Sequence, residues 1–563
     1  MIRSPERIAI GRLLRWVAAI STVLVLPWSS YDPINVPKLA VISAGGFMAL
    51  GFIVQQWKII TGHDYRTSFL VSLAFIFDLI LVLVISGNNF TQEFFGTYGR
   101  ATGFVAYVAL AGLLMAGVLS STDTVILRFS WFLIGSGVIS AGYGVFQATG
   151  VDPANWVNSY SPVIGFLGNP DFQSSFVGLS AVMAVAMLLK KGLRNSIKAG
   201  LLVFVFTTLY VISETKAQQG FFVFLGGSSV VVFILIYKSK AKKFTLPLFA
   251  SGFIALIFVA MGSLNVGPLA SLLHKASVVY RGDYWRAGWK MTMDHPFFGV
   301  GLDSYGDWYR RTRTIEATVR RGPEVTSNAA HNVLIDFSSN GGFPLLIIYL
   351  ALLALAARAA TRVIRRTSEF DPAISGLFAV WIAYQAQSLI SLNQLGLAVW
   401  GWIISGLLIG YEIDTRTNLE EVGVSKSRRH NSKAKIPIGL KVQPAFLSSL
   451  FIGFSLGLLI GLPPLIASTQ FKTALDSPNK TTLENAAEIF PQDVFRAGQI
   501  AYIFQQNKLE DEALSIITAS VENYPDSYES WRLLASLSNA SPAQIAEAKA
   551  QMKRLDPHNP ELK

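Results

Sequence analysis

Eight cations and two histidines crowd one polar stretch of an otherwise strongly apolar chain. Arg281, Arg286, Lys290, Arg310, Arg311, Arg313, Arg320 and Arg321 fall with His295 and His331 inside YRGDYWRAGWKMTMDHPFFGVGLDSYGDWYRRTRT…TSNAAHNVLIDFSSNGG, residues 280–342. Two or three arginines can grip an anion through charge-assisted bidentate bonds and stabilise negative charge as it develops on a leaving group. Histidine titrates near neutrality and can take the proton of an attacking hydroxyl. The outer loops carry no Asp-x-Asp pair and no HExxH arrangement, so no metal and no other cofactor is predicted. The chain has no cysteine, which removes disulfides and thiolate ligands. HPFFGVG, residues 295–301, reads as a turn and not a phosphate loop, because no Gly-Lys-Ser/Thr follows it and no strand precedes it.

Helical spacing sorts these residues. Val278, Trp285, Trp289 and Met293 form one stripe, as in an amphipathic helix resting at a membrane interface. Arg286 and Lys290, at i and i+4, share a neighbouring face. Arg281 stands about 140° from Arg286 around such a helix, so both reach one ligand only if Arg281 sits at or before the helix start. His331 opens the apolar run NAAHNVLIDF and is placed at the outer mouth of a transmembrane helix. A lone histidine there is ordinarily an interfacial residue with a satisfied hydrogen bond; the cationic stretch arriving beside it argues for chemistry. Arg100, in FFGTYGRATGF, stands at another outer mouth as an additional phosphate or glycan contact.

The elements that must carry these groups are membrane helices. Hydrophobic residues are 52% of 563, charged residues 15%, and mean hydropathy is +0.44, which describes a polytopic membrane protein. The formal charge of +12 sits mostly in short loops between apolar runs, which argues against nucleic acid as a partner. After Arg3, Arg7, Arg12 and Arg15, an uncleaved first helix ends near Trp28. Runs long enough to cross about 30 Å of hydrocarbon follow near 38–56, 67–86, 101–120, 125–149, 171–189, 197–213, 220–237, 244–264, 332–356, 373–390, 396–412 and 445–467, about thirteen spans in all.

With the N-terminus inside, alternation puts Lys58 and Arg66, Lys190 to Lys198, Lys238 to Lys243, Arg358 to Arg366 and the Arg416 to Lys441 tail inside. The loops near 29–37, 87–99, 150–170 and 391–395 fall outside, nearly free of cations. The large loop at 265–330 also falls outside, against the bias, so its arginines look functional. Residues 470–563 then form an outer soluble helical segment. Pro491 and Pro525 are 34 residues apart and Pro557 follows 32 later, close to the tetratricopeptide period, and AYIFQQNKLEDEALSIITASVENYP reads as helix, turn and helix. The alternative is a solvated helical hairpin without repeat function.

The pattern RxxxW…M…HPxxGVG…HN, with His331-Asn332 followed by Gly342, resembles the O-antigen ligase superfamily, which includes O-antigen polymerases and bacterial protein O-oligosaccharyltransferases. The likeness covers about residues 10–412, and YDPINVPKLA and GFLGNPDFQSS look like further family features. It implies an all-α, GT-C-type glycosyltransferase domain at 1–412; the apolar runs and charge alternation then place a basic cytoplasmic linker at 413–444, a last transmembrane helix at 445–467 and the outer helical domain at 470–563. It also implies transfer of a glycan from a polyprenyl diphosphate to an acceptor on the outer face of the cytoplasmic membrane. In that reading His331 is the base, Arg281 or Arg286 contacts the diphosphate, and Asn332 contacts the substrate. Lys216, in SETKAQQG, stands where the family often has an arginine, keeping the charge but losing the fork. Leu345 stands where related ligases tend to have a small residue.

Direct attack at the anomeric carbon would invert it. The acceptor stays open among a glycolipid (ligase), another glycan (polymerase) and a protein hydroxyl (oligosaccharyltransferase), with the C-terminal repeats as a surface for a protein partner. Two other classes remain: a small-anion (bicarbonate) transporter, whose intramembrane candidate is Asp78, and a non-catalytic scaffold.

Overall fold

Backbone polar groups in hydrocarbon must be satisfied within their own segment, so long apolar runs become helices. The computed structural model describes residues 4–154, 156, 161–274, 276–427 and 443–562, and among these there is no strand. Ahead of the polar stretch come α1 (Ser4–Val23), α2 (Asn35–Gln55), the single turn α3 (Trp57–Ile60), α4 (Arg66–Ile85), the short α5 (Phe90–Phe95), α6 (Phe104–Ser120), α7 (Asp123–Ala148), α8 (Pro170–Leu188), α9 (Asn195–Glu214), α10 (Gln219–Tyr237) and α11 (Thr245–Ser263). The stretch itself folds as α12 (Ala270–Leu273), α13 (Ala276–Asp294), α14 (Tyr305–Thr312) and α15 (Ile315–Arg321). Then follow α16 (Val333–Arg366), α17 (Pro372–Ser388), α18 (Leu395–Ser427) and α19 (Pro444–Asp476). The chain finishes with α20 (Lys480–Glu488), α21 (Val494–Gln506), α22 (Glu510–Asn523), α23 (Tyr528–Ser536) and α24 (Pro542–Leu555).

Each of the thirteen apolar runs is a helix. Among the described residues, ten helices are long and apolar enough to cross a membrane. The other three fall short for plain reasons: α6 and α17 have 17 residues each, and α1 carries Glu6 with three arginines. Of the linker expected at 413–444, residues 413–427 continue α18 as helix, and 428–442, with Lys441, lie outside the described residues, as does Arg3.

The two ends of the bundle differ in charge. At one end Lys191 pairs with Glu369 at 2.9 Å, Lys238 donates to the Thr367 carbonyl at 2.5 Å, and Arg7 pairs with Asp414 at 2.7 Å. The basic turns assigned to the inside therefore share one end. The polar stretch and the C-terminal helices share the other, where Asn89 donates to the Asn523 carbonyl at 3.1 Å. This arrangement predicts that Ala546→Cys reacts with an impermeant maleimide in cells whose outer layers are permeable, while Ser239→Cys does not. Labelling at Ser239 alone would reverse the orientation.

Helix α16 departs from the continuous span expected at 332–356. It breaks at Gly342, where φ is 71° and ψ is −173°, a conformation open to glycine. The freed carbonyls are not left bare: Ser339 accepts from Val300 N at 2.7 Å and Asn340 from Gly301 N at 3.2 Å, while Phe343 N donates to Pro296 at 2.8 Å. A Cβ on Gly342 would strike the Pro296–Phe297 backbone, and one on Gly299 would strike Ser339 and Asn340. HPFFGVG is the turn that ends α13, and it is also a plug fitted into the break in α16.

The last span has no joint before the C-terminal domain. Helix α19 continues to Asp476, and its Phe471 and Ala474 enter the core formed by Ile500, Phe504, Ile517, Trp531 and Leu534. Along α2 it packs through Gly453 and Gly457, whose missing Cβ atoms let backbones approach Phe47 and Ser43. Beyond it, α21 pairs with α22 and α23 with α24, two consecutive helical hairpins with Pro525 and Pro557 following each second helix.

Candidate functional site

His331 lies at the end of the bundle that carries the polar stretch, just ahead of α16. Its φ of 53° puts a non-glycine residue in the left-handed region, which costs of order 1–3 kcal/mol and persists only where the surroundings impose it. They do so from both sides. Upstream, Ala330 N donates to Asp336 Oδ1 at 2.7 Å, and the Asn328 carbonyl accepts from Arg100 at 2.7 Å. Downstream, the Asn332 side chain caps α16, accepting from Leu334 N at 3.0 Å and Ile335 N at 3.3 Å. The imidazole stacks on Tyr284 with ring centres 5.4 Å apart.

Burial lowers the His331 pKa to about 4, with the positive charges of Arg281, Arg100 and Arg321 adding to the effect. The ring is therefore a neutral proton acceptor at physiological pH. Its flanking tyrosine is itself fixed: the Tyr284 carbonyl accepts from Tyr305 Oη at 2.7 Å, and Arg321 donates to the Tyr284 phenol.

The cations of the stretch divide into groups with different work. Arg281 lies inside α13, not at its start, so it and Arg286 leave the helix on different faces, and the condition for sharing one ligand is not met. Arg281 turns toward His331 and toward Asp171 at the head of α8, with a single long contact of 3.5 Å that leaves guanidinium donors for a further acceptor. Arg286 is largely exposed, with Asp283 4.0 Å away; Asp283 is held by Arg320 at 3.1 Å. Arg310 and Arg313 meet Asp556 at 3.2 and 2.7 Å, and Arg311 meets Asp526 at 2.8 Å, so these three dock the C-terminal domain.

Arg100, expected as a phosphate or glycan contact, is withdrawn from solvent. It pairs with Asp303 at 3.0 Å, bonds Thr102 at 3.2 Å and holds the Asn328 carbonyl at 2.7 Å. Lys216 occupies the exposed turn between α9 and α10, also left-handed with φ 59°. Gln218 of that turn donates to the Leu272 carbonyl at 3.2 Å, which ties it to the approach to α13.

The stripe of Trp289 and Met293 is half exposed; what seats α13 on the protein is Tyr284, Ala287, Gly288 and Met291. A Cβ on Gly288 would meet Ile335, which is how closely α13 approaches α16.

Sequence reasoning passed over Asp171, Tyr284, Asp303 and Asp336. Asp336 carried a usable signal, because a carboxylate one turn into an apolar helix needs a local reason.

Residues 201–350 match the family model described as O-Antigen ligase. No curated protein matches the chain. The matched segment runs from α9 into α16 and takes in Lys216, Arg281, Arg286, His331 and Asn332, but neither Arg100 nor the C-terminal helices. That segment, set in a multi-pass helical body, is similar to the O-antigen ligase family, a likeness that supports a membrane glycan-transfer role.

Proposed function

We propose that the protein transfers a glycan from a polyprenyl diphosphate to an acceptor hydroxyl at the outer face of the cytoplasmic membrane, without a metal and with inversion. The observation that carries this reading is His331: a neutral imidazole, fixed by strained backbone, with Arg281 as the first of the cations acting on it.

The acceptor hydroxyl attacks the anomeric carbon while His331 takes its proton. The bond from that carbon to the diphosphate oxygen breaks, and the pair of electrons leaves with the diphosphate. Arg281 meets the charge that develops there. A bound diphosphate also offsets the repulsion from Arg281, raising the imidazole pKa from about 4 toward the range where a base is effective. Asn332 spends its carboxamide oxygen on the helix cap, which leaves its NH2 for substrate.

Purified protein in nanodiscs with a polyprenyl-diphosphate glycan tests the assignment. Arg281→Lys keeps charge and removes the fork, and lowers transfer about 10- to 100-fold, the worth of a charged hydrogen bond. Arg286→Lys, on the exposed face, stays within about threefold of wild type. Wild-type turnover in both Arg281→Lys and Arg281→Ala would remove this residue from the donor site.

A further inference from the structure

A cavity of about 800 Å³ lies between the C-terminal helices and the outer mouths of the bundle, in the upper part of the roughly 300–1,000 Å³ range of small-molecule sites. Its membrane side includes the segment after α5, and its far side includes α21 and the turn into α23. It reaches Asn328, three residues before His331, whose carbonyl Arg100 holds.

The charged groups that line it already have partners within the protein. Of its cations, Arg310 pairs with Glu529 at 2.7 Å, Arg532 with Glu324 at 2.5 Å, and Arg496 donates to the Ile489 and Pro491 carbonyls at 2.6 and 2.8 Å. Among its acids, Asp32 accepts from Ile34 N and Asn35 N at the start of α2, Asp493 caps α21, Asp307 accepts from Gln92 at 2.6 Å and Asp526 pairs with Arg311. A diphosphate would find no arginine here without protein partners, and a basic peptide no carboxylate among these without one.

What remains is aromatic and neutral-polar surface. Tyr98 stacks flat on Phe495 with centres 4.1 Å apart, Tyr31 stands 5.8 Å from Tyr98, and the half-exposed Tyr502 faces the same space. Side chains of Thr97, Gln499 and Asn328 share the wall. Rings with a polar rim, beside amides and hydroxyls, suit the C–H faces and hydroxyl edges of sugars. An extended polypeptide would gain main-chain bonds from a sheet edge, and none exists among the described residues.

From this we infer that the cavity binds an uncharged saccharide chain, several sugars long, whose end is presented to His331 as the acceptor. The word acceptor rests on the transferase reading; saccharide binding does not.

Gly498 of α21 lines the cavity, and a Cβ there would meet nothing within 4 Å, so Gly498→Trp fills the space without a clash at its base. The probe is a size-selected fraction of neutral oligosaccharides of four to six sugars, released from the host cell surface and bound to full-length protein in nanodiscs, read by saturation-transfer NMR. Wild type and His331→Gln are expected to bind alike, Gly498→Trp and Tyr502→Ala at least tenfold more weakly, and Tyr502→Phe near wild type. Equal binding in Gly498→Trp and wild type, no binding in wild type, or displacement of the saccharide by a Ser/Ala-repeat decapeptide overturns the assignment. Transfer from the polyprenyl-diphosphate donor is measured separately, so loss of the transferase reading and loss of the cavity assignment are different results.

Discussion

His331→Gln lowers glycan transfer per folded molecule by about 10²- to 10⁴-fold, the usual range for removal of a general base. Glutamine approximates the size of the imidazole and keeps a hydrogen-bonding end, so the left-handed backbone and the contact with Tyr284 survive, and donor affinity stays near wild type. The pH dependence supplies a second reading. A base works unprotonated, so activity falls as pH drops through its pKa. In wild type the acid limb of kcat/KM lies near pH 4, reporting the donor-free protein, and the limb of kcat lies higher because a bound diphosphate stabilises the imidazolium. The limb assigned to His331 disappears in the glutamine variant. The linkage to stability has the same sign: the folded pKa lies below the ordinary value of 6.5, so stability from the neutral ring is lost as pH falls from about 6.5 toward 4. Transfer above about a third of wild type in His331→Gln would sink the role, and inhibition of wild type by EDTA would bring in a cation that the sequence does not announce.

The helices were legible because hydropathy reports the solvent of each segment, and the grouping of basic turns followed from alternation alone. The break in α16 was not, although Ser338, Ser339, Asn340 and the Gly341–Gly342 pair interrupt the apolar run before Pro344, because small and polar residues also occur inside unbroken membrane helices. Sorting of the arginines was also illegible. Arg310 and Arg313 look identical in type to Arg281, and their partner Asp556 lies more than 240 residues away in the chain. Arg100 finds Asp303 across a similar gap of sequence. A cation against the positive-inside bias therefore had two physical explanations, an anionic ligand or a folded partner on the same side, and only the three-dimensional contacts separate them.

The docking of the C-terminal domain turns on Asp556. Its side chain is fully buried and takes Arg313 at 2.7 Å and Arg310 at 3.2 Å, while Arg313, itself 1% exposed, also donates to the Val325 and Pro323 carbonyls at 3.0 Å. Such a cluster adds little net stability when intact, because desolvation offsets attraction, yet removing one partner strands the others and costs about 3–5 kcal/mol. Asp556→Ala therefore loosens the domain from α14, seen as faster hydrogen exchange across α23 and α24 and new proteolytic cleavage near Tyr524. Arg310 keeps Glu529 and its place over the Tyr528 ring, so the residue left without compensation is Arg313. It follows that Arg313→Met in the Asp556→Leu background recovers most of the protection, an outcome that a simple loss of one favourable contact would not give. Because the same domain forms one wall of the cavity, Asp556→Ala also weakens oligosaccharide binding, while donor affinity, which the proposal assigns to Arg281, is retained. Unchanged exchange in Asp556→Ala would assign the docking to the apolar contacts along α19 instead.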